Sequence, residues 1–265
     1  MKPKLMRQEW NTFLCAVQFL TRIPIRADID YNEARLNQAV GFYPLVGVLI
    51  GLLVFSAFFL SAKILPYSIA VILSLIFSLL LTGAFHEDGF ADMCDGIGGG
   101  QTPERSLEIM RDSRLGTYGV SGLVTMLGLK VALLISVAEA ATSSWVLCLI
   151  FLLSHALSRT SAVMVIATSQ YVRLAGAAKP VATGLDTHTL TLAIGSSAVL
   201  LIGLMLSTSL WFTLYLLAFL AAGHIGARKI FEKKLGGYTG DCLGAVQQVS
   251  EVSFLLGACI WLYSY

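Results

Sequence analysis

The chain has 265 residues, of which 56% are hydrophobic and only 13% are charged. A soluble globular protein carries about 25% charged residues, so these values argue against a soluble enzyme and exclude a disordered chain or a coiled coil. The formal net charge of +2 is close to neutral. No stretch combines basic and aromatic residues, which argues against a nucleic-acid partner. The composition indicates an integral membrane protein.

The first 35 residues form a basic N-terminal segment that we expect on the cytoplasmic side. Its apolar residues recur at helical spacing, namely Trp10, Phe13, Leu14, Val17 and Leu20. Polar residues interrupt the segment, so it resembles a cleaved signal peptide less than an amphipathic helix. We predict a helix that lies on the membrane surface and ends near Pro24.

Seven apolar runs are long enough to cross a bilayer as helices. They are Val40–Ala62, Ile64–Phe85, Thr117–Ala138, Trp145–Thr168, Leu190–Ser207, Leu210–Ala227 and Leu243–Tyr263. Three connections between them are very short, whereas residues 86–116, 169–189 and 228–242 form long polar connections. The predicted fold class is all-α: one polytopic helical bundle of about seven spans, which forms a single integral membrane domain over residues 1–265.

Basic residues orient this bundle. The N-terminal segment and the long connections hold 15 of the 18 Lys and Arg residues, and the exceptions are Lys63, Lys130 and Arg159. Because loops on the cytoplasmic side are enriched in Lys and Arg, we predict that the long connections lie on the cytoplasmic side of the inner membrane. Polar chemistry gathered on one face suits a membrane-embedded enzyme better than a transporter, whose polar groups usually lie near the midplane.

Seven of the 16 acidic residues fall between His86 and Asp112. If this segment is helical, Asp88, Asp92 and Asp95 occupy an arc of about 60° on one helix face. Like charges so placed repel one another, and a divalent cation would offset the repulsion. Oxygen ligands favour Mg²⁺, or Mn²⁺, over zinc. We therefore interpret residues 86–116 as an acidic catalytic loop, with a solvated loop that binds no ligand as the alternative.

The glycines at 98–100 would allow the backbone to approach a ligand closely. Beyond them, Thr102 and Pro103 predict the start of a short helix that runs to about Asp112. Arg111 and Arg114 end the segment, and guanidinium groups suit phosphate oxygens. Pairing of these arginines with the neighbouring acids or with lipid phosphates is the alternative.

An arginine inside a predicted span is a second candidate site. His155 and Arg159 lie one helical turn apart in the fourth span. Because a buried arginine is costly unless it is paired or hydrated, we expect Arg159 to face a polar cavity on the cytoplasmic half. Structural pairing of Arg159 with Glu251 is the alternative.

The last polar connection is basic and then rich in glycine. Thr239 or Asp241 would cap the final span, whose first turn points free N–H groups towards an anion. Arg228 and Lys229 would meet phosphate groups, although anchoring at the membrane surface accounts for them equally well.

Five segments together resemble the cobalamin synthase family, the adenosylcobinamide-GDP ribazoletransferases. They are FLTRIPI (19–25), GFYPLVG (41–47), AFHEDGFADMCDGIGGGQTPERSLEIMRDSRLGTYG (84–119), LSHALSR (153–159) and GGYTGDCLGA (236–245). The resemblance implies a polytopic enzyme of the cytoplasmic membrane that uses Mg²⁺. It implies the joining of α-ribazole, or its 5′-phosphate, to adenosylcobinamide-GDP with release of GMP. Docking of other cobamide-assembly enzymes and a homo-oligomer are further expectations.

The resemblance and the residues together give a mechanistic hypothesis of in-line displacement at the corrinoid-side phosphorus of the diphosphate. Mg²⁺ would be held by Glu87, Asp88, Asp92 and Asp95, and the base would be Asp112, Asp241 or His86. The residues expected to bind substrate or phosphate are Arg111, Arg114, Arg159, Arg228, Lys229, Gly98, Gly99, Gly100 and Thr239.

Two other classes of protein remain as alternatives. A CDP-alcohol phosphotransferase has an acidic element that resembles the segment from Asp92 to Gly96. The further spaced aspartates of that element are not evident in this chain. A corrinoid or cation transporter would use the carboxylates to bind a permeating ion. Product formation, as opposed to uptake into liposomes, discriminates these classes.

Overall fold

The computed structural model describes residues 3–27, 31–173 and 184–264, with the side chains of residues 3–5 excepted. Within these residues the secondary structure is helical, apart from one isolated bridge between Tyr171 and Tyr238. The helices are α1 Pro3–Leu20, α2 Glu33–Ala39, α3 Tyr43–Ser61, α4 Tyr67–Thr82, α5 Phe85–Gly99, α6 Pro103–Ile109, α7 Thr117–Ala140, α8 Ser144–Thr168, α9 Thr187–Ser207, α10 Leu210–Leu235 and α11 Gly240–Ser264. The predicted all-α bundle is confirmed.

Six helical stretches are long and apolar enough to cross a membrane on their own, and α4 with α5 makes a seventh if the two are counted as one span. The expectation of about seven spans is therefore confirmed. The first stretch is longer than predicted, because α2 and a 3₁₀ turn at Val40–Phe42 lead directly into α3.

The second span does not continue straight into the acidic segment. Gly83 and Ala84 both adopt the left-handed conformation, with φ of 67° and 54°, and a left-handed residue commonly ends a helix. The chain turns by 88° here before α5 begins. Residues 86–116 are thus mostly helical and not an acidic loop: they contain α5 and α6, and α6 confirms the short helix predicted to start at Thr102 and Pro103.

The predicted N-terminal helix is present as α1. Its inner face is formed by Cys15, Ala16, Val17 and Leu20, which are buried, whereas Trp10 is exposed. This face packs against α2 and α3. The amphipathic pattern read from the sequence therefore reflects contact with the rest of the bundle.

Helices α8 and α11 form the centre of the bundle. In their apolar windows 78% and 67% of the residues are buried, against 22–39% in the other spans. Both central helices carry polar side chains that are also buried, among them Arg159 and Glu251. The core is consequently polar as well as apolar, which matters for the position of α5.

The long connections meet at one end of the bundle. The Tyr238 N–H donates to Gln170 O (2.8 Å), and the Val172 N–H donates to Tyr238 O (3.0 Å). Arg173 donates from Nη2 to Met110 O (3.2 Å). These contacts join the segments that follow α6, α8 and α10, so the polar groups lie together as the charge pattern predicted.

Candidate active site

Helix α5 carries four acidic side chains, and the structure places them in three different surroundings. Asp88 is exposed and Asp92 is half-buried, whereas Glu87 and Asp95 are buried. Asp88, Asp92 and Asp95 do lie at i, i+4 and i+7 of one helix. However, only Asp88 and Asp92 remain open on a shared surface.

Asp241, the second residue of α11, faces these two carboxylates. The two helices touch through their backbones, since a Cβ added to Gly89 would lie 3.0 Å from Asp241 Cα, and one added to Gly244 would lie 2.8 Å from His86 O. Asp92 lies on α5, and the carboxylates of Asp241 and Asp88 lie within electrostatic range of its own carboxylate. This concentration of negative charge favours a bound cation.

Replacing Gly89 by alanine should displace the carboxylates from one another. The new methyl group would meet the Asp241 backbone at 3.0–3.1 Å, which is tighter than most packed contacts, so α5 and α11 must give by a few tenths of an ångström. Because a displacement of about 1 Å can cost roughly 100-fold in rate, we expect this smaller displacement to slow the reaction by roughly 3- to 10-fold. Gly226→Ala is the matched control, since no heavy atom lies within 4 Å of the added Cβ; equal rates in the two variants would refute the close packing.

Arg173 forms an ion pair with this cluster. Its Nη2 donates to Asp241 Oδ2 (2.6 Å), and the side chain is only 12% exposed. The Nε atom of Arg173 is buried and has no hydrogen-bond partner among the described residues. Arg173 therefore fixes the Oδ2 atom of Asp241, whereas the Oδ1 atom is not held by this contact. The sequence reasoning counted Arg173 only among the basic residues of the long connections.

Asp95 makes a structural contact that the sequence reasoning did not predict. Its Oδ2 accepts from the Gly116 N–H (2.7 Å), and its Oδ1 accepts from the Gly119 N–H (2.8 Å). Both carboxylate oxygens are thus used to satisfy free N–H groups at the start of α7. This arrangement assigns Asp95 to capping α7, and its place among the metal ligands is not supported by the geometry.

Asp95→Ala should lower the stability of the protein. Loss of a helix cap costs about 1–2 kcal/mol, and two N–H groups would lose their partner. We expect a lower thermal unfolding temperature, together with near-normal turnover for the fraction that stays folded, measured by light scattering and by product formation. A stable but inactive Asp95→Ala protein would instead support the original metal-ligand prediction.

Glu87 points away from Asp88 and into the protein. Its Oε1 accepts from Gln248 Nε2 (2.9 Å), and its Oε2 is buried without a partner in the described part of the chain. The four predicted metal ligands therefore do not form a single site. Across the described ranges, no three His, Cys, Asp or Glu side chains lie close enough to hold a metal ion by themselves.

Two carboxylates are nevertheless enough for one kind of metal site. Mg²⁺ usually keeps several water ligands and binds through one or two carboxylates together with substrate phosphates. Asp88 and Asp92, one turn apart on the open side of α5, fit that requirement. Their oxygen donors suit a hard divalent cation.

The predicted phosphate-binding arginines differ in their surroundings. Arg114 donates from Nε to Asp112 Oδ1 (3.0 Å), and these hydrogen bonds lower the pKa of Asp112 to about 2. Arg228 pairs with Glu232 (2.8 Å) and donates to Thr168 O (3.0 Å) at the end of α8. For Arg114 the structure shows the alternative of pairing with a neighbouring acid, and Arg228 forms a local pair that neither interpretation of it predicted.

Arg111 and Lys229 are both exposed. Arg111 lies within electrostatic range of Tyr171, on the same side as Arg173. In the described part of the chain its guanidinium forms no ion pair, so it is available to an anion. Lys229 follows Arg228 directly on α10.

The glycines at 98–100 are in contact with protein atoms. A Cβ added to Gly98 would lie 2.5 Å from the Tyr118 ring, and one added to Gly100 would lie 2.2 Å from Ser106 Oγ. At Gly99 the nearest atom would be Ile109 Cδ1, at 3.3 Å. Gly98 and Gly100 allow α5 to pack closely against α7 and α6, and the approach of Gly98, Gly99 and Gly100 to a ligand stays a prediction.

The remaining predicted residues lie around the start of α11. Thr239 Oγ1 accepts from the Cys242 N–H (3.4 Å), which confirms Thr239 as a cap.

His86 and Arg159 are buried on the far side of α5 from Asp88, next to a small cavity lined by Tyr43 and Gly240. Arg159 Nη1 donates to His155 O (2.8 Å). Glu251 pairs with Lys130 (3.2 Å), and the described residues show no direct ion pair between Arg159 and Glu251, which was the alternative interpretation of Arg159.

A large apolar groove of about 1010 Å³ lies between α7 and α10, with Phe90, Met93 and Ile97 of α5 at its base. These residues are on the opposite face of α5 from Asp88 and Asp92. The groove therefore does not contain the candidate chemistry. The cluster of Asp88, Asp92 and Asp241 is assembled from α5 and α11, whereas Asp95, Gly99, Asp112 and Arg114 line a separate polar pocket of about 430 Å³.

Comparison with known proteins places this geometry in context. The family described as Cobalamin-5-phosphate synthase matches residues 12–259. A protein of Vibrio cholerae serotype O1 named adenosylcobinamide-GDP ribazoletransferase is 40% identical over 95% of this chain and 94% of its own length. Proteins of the same name from Ralstonia pickettii and Shewanella piezotolerans are 39% and 43% identical, over 98% and 93% of this chain and 99% and 93% of their own lengths. No solved structure matches.

Proposed function

This chain belongs to the cobalamin-5-phosphate synthase family, a family of transferases of cobalamin biosynthesis, and we propose how its residues carry out the transfer. The substrates are adenosylcobinamide-GDP and α-ribazole, or its 5′-phosphate, and GMP is released. The observation that supports this site is the meeting of Asp88, Asp92 and Asp241 beside Arg173 at the polar end of the bundle. This end faces the cytoplasm, in agreement with the distribution of basic residues.

Asp88 and Asp92 would hold Mg²⁺, with Mn²⁺ as a substitute. When bound, the metal ion would neutralise charge on the diphosphate and on the departing GMP. Arg173 and Arg111 add positive charge on the same side. Such a site works chiefly by positioning and by charge stabilisation, which agrees with a cluster that is open to large substrates.

Asp241 is the best candidate for the base among the three that the sequence suggested. Asp112 is held by Arg114, and its pKa of about 2 makes it a weak base. His86 is buried on the opposite face of α5. Asp241 Oδ1 is free to accept a proton because Arg173 holds Oδ2.

In the proposed step, the ribazole hydroxyl loses its proton to Asp241 Oδ1 and its oxygen forms a bond to the corrinoid-side phosphorus. The bond from that phosphorus to the bridging oxygen breaks, and GMP leaves with the electron pair. Arg173 keeps the accepting carboxylate in a fixed orientation throughout.

Purified protein in liposomes tests this proposal. Given adenosylcobinamide-GDP, α-ribazole and Mg²⁺, the protein should release one GMP for each cobalamin formed, and chelation of the metal should stop the release. Glu104→Gln controls for the loss of an acidic side chain outside the cluster. Glu104 is an exposed acid of α6, and its replacement should leave GMP release unchanged. Uptake of substrate without GMP release would contradict the proposal and favour a transporter.

A further inference from the structure

Two acidic and two basic side chains are the most deeply buried charged groups among the described spans, which is costly in a membrane unless they are paired. They are Glu87 on α5, Lys130 on α7, Arg159 on α8 and Glu251 on α11, each no more than 6% exposed. Two are formally acidic and two are basic, so the group is balanced in charge. The proposed chemistry uses none of them.

A chain of hydrogen bonds connects three of these groups. Lys130 Nζ lies 2.6 Å from Gln248 Oε1 and 3.2 Å from Glu251 Oε1. Gln248 Nε2 then donates to Glu87 Oε1 at 2.9 Å. Among the described residues, Gln248 is therefore the one through which hydrogen bonds link the buried Lys130–Glu251 pair to α5.

A second branch, through Gln247, makes no direct hydrogen bond to α5 in the described structure. Gln247 Nε2 donates to Glu251 Oε2 (2.8 Å) and to Ser158 Oγ (2.8 Å). Gln247 also accepts a hydrogen bond from Gln248 Nε2 (2.8 Å). This branch ties α11 to α8, and Gln247 provides an internal comparison for Gln248.

Glu87 is well placed to set the rotation of α5 about its own axis. Successive residues of an α-helix point about 100° apart, so fixing the Glu87 side chain also fixes the directions of Asp88 and Asp92. Helix α5 is not held by continuation from α4, because the chain bends by 88° at Gly83 and Ala84. Its orientation must come from lateral contacts such as this one.

We propose that Glu87 is an anchor rather than a metal ligand, and that Gln248 and Lys130 are positioning residues for Asp88 and Asp92. This inference rests on the proposed function, in which those two carboxylates bind the metal. The buried charges would thus set the affinity of the metal site from inside the membrane, without touching the metal or the substrates.

Mn²⁺ titration followed by electron paramagnetic resonance, in nanodiscs with adenosylcobinamide-GDP, tests the inference. Glu87→Gln keeps an oxygen that can accept from Gln248 Nε2, so we expect Mn²⁺ affinity within about threefold of wild type. Glu87→Leu and Gln248→Leu remove the link, and we expect affinity to fall at least about 10-fold, as for other residues that orient ligands. Turnover at saturating Mn²⁺ should change less than the affinity.

Gln247→Leu is the matched control, since it removes buried hydrogen bonds but leaves the contact between Gln248 and Glu87 in place. It should lower the unfolding temperature about as much as Gln248→Leu while leaving Mn²⁺ affinity unchanged. Equal losses of affinity in both variants, or loss of Mn²⁺ binding in Glu87→Gln, would overturn the inference. A wild-type protein that releases GMP without binding Mn²⁺ would instead overturn the metal site on which the inference rests.

Discussion

Asp92→Asn is expected to lower the rate of GMP release by more than about 100-fold, beyond the 10- to 100-fold typical of residues that only orient metal ligands. Asp92 is half-buried between Asp88 and Asp241, so its carboxylate is the one best placed to bind a cation near both. The amide keeps the shape of the side chain and removes the charge. The measurement is product formation by purified protein across a Mg²⁺ titration.

The same substitution should not harm folding. Asp92 shares its surroundings with two other carboxylates, and removal of one like charge relieves repulsion. We therefore expect Asp92→Asn to insert into the membrane and to unfold at the wild-type temperature or slightly above it. An inactive variant that is also unfolded would not meet this prediction, and near-normal turnover would refute the role of Asp92 in metal binding.

Arg173→Met is expected to have the second largest effect. It removes the 2.6 Å contact to Asp241 Oδ2 and the donor to Met110 O, so Asp241 loses its fixed orientation and the segment after α8 loses its tie to α6. We expect a fall in kcat of about 10- to 100-fold. The measurement is steady-state kinetics with α-ribazole as the varied substrate.

A comparison with Arg228→Met controls for loss of a surface cation. Arg228 also makes an ion pair and hydrogen bonds to the backbone, but it does so at the end of α8, away from Asp241. Its replacement should leave kcat within about threefold. If both variants lose activity equally, Arg173 acts through general charge or folding and not through Asp241.

Much of the fold followed from the sequence because a bilayer restricts the choices strongly. Long apolar runs must be helices, and the charge pattern correctly grouped the long connections at one end. The break at Gly83 and Ala84 was missed because Ala84 has no reason in its own side chain to adopt a positive φ. The local pattern at 86–95 therefore predicted which acidic residues lie together on a helix, but it did not predict the direction in which that helix runs.

The site was predicted less completely, because identical residue types have different partners. In the sequence, Asp92 and Asp95 are equivalent members of a row of acidic residues on one helix face. In the structure, Asp95 accepts hydrogen bonds from the first N–H groups of α7. Glycines that suggest contact with a ligand also suit close helix packing, and Gly98 and Gly100 serve the second purpose. Only tertiary structure distinguishes these roles.

Residues that contact the site from distant positions in the chain are hard to recognise in the sequence. Arg173 stands beside an ordinary Tyr-Val pair, and its importance arises from a contact with Asp241, 68 positions away. Lys130 and Gln248 are separated by 118 positions. A charged or amide side chain within an apolar span was the available sign, and it marked Lys130, Arg159 and Glu251 without identifying their partners.

Direct measurement of metal binding is the most direct test of the central claim that Asp88 and Asp92 hold a divalent cation against the diphosphate. Electron paramagnetic resonance of Mn²⁺ should show one bound ion per wild-type protein, with affinity that rises when adenosylcobinamide-GDP is present. Asp92→Asn should lose this binding, and Glu104→Gln should retain it. If the Asp92→Asn variant binds Mn²⁺ as tightly as the wild-type protein does, the account is contradicted.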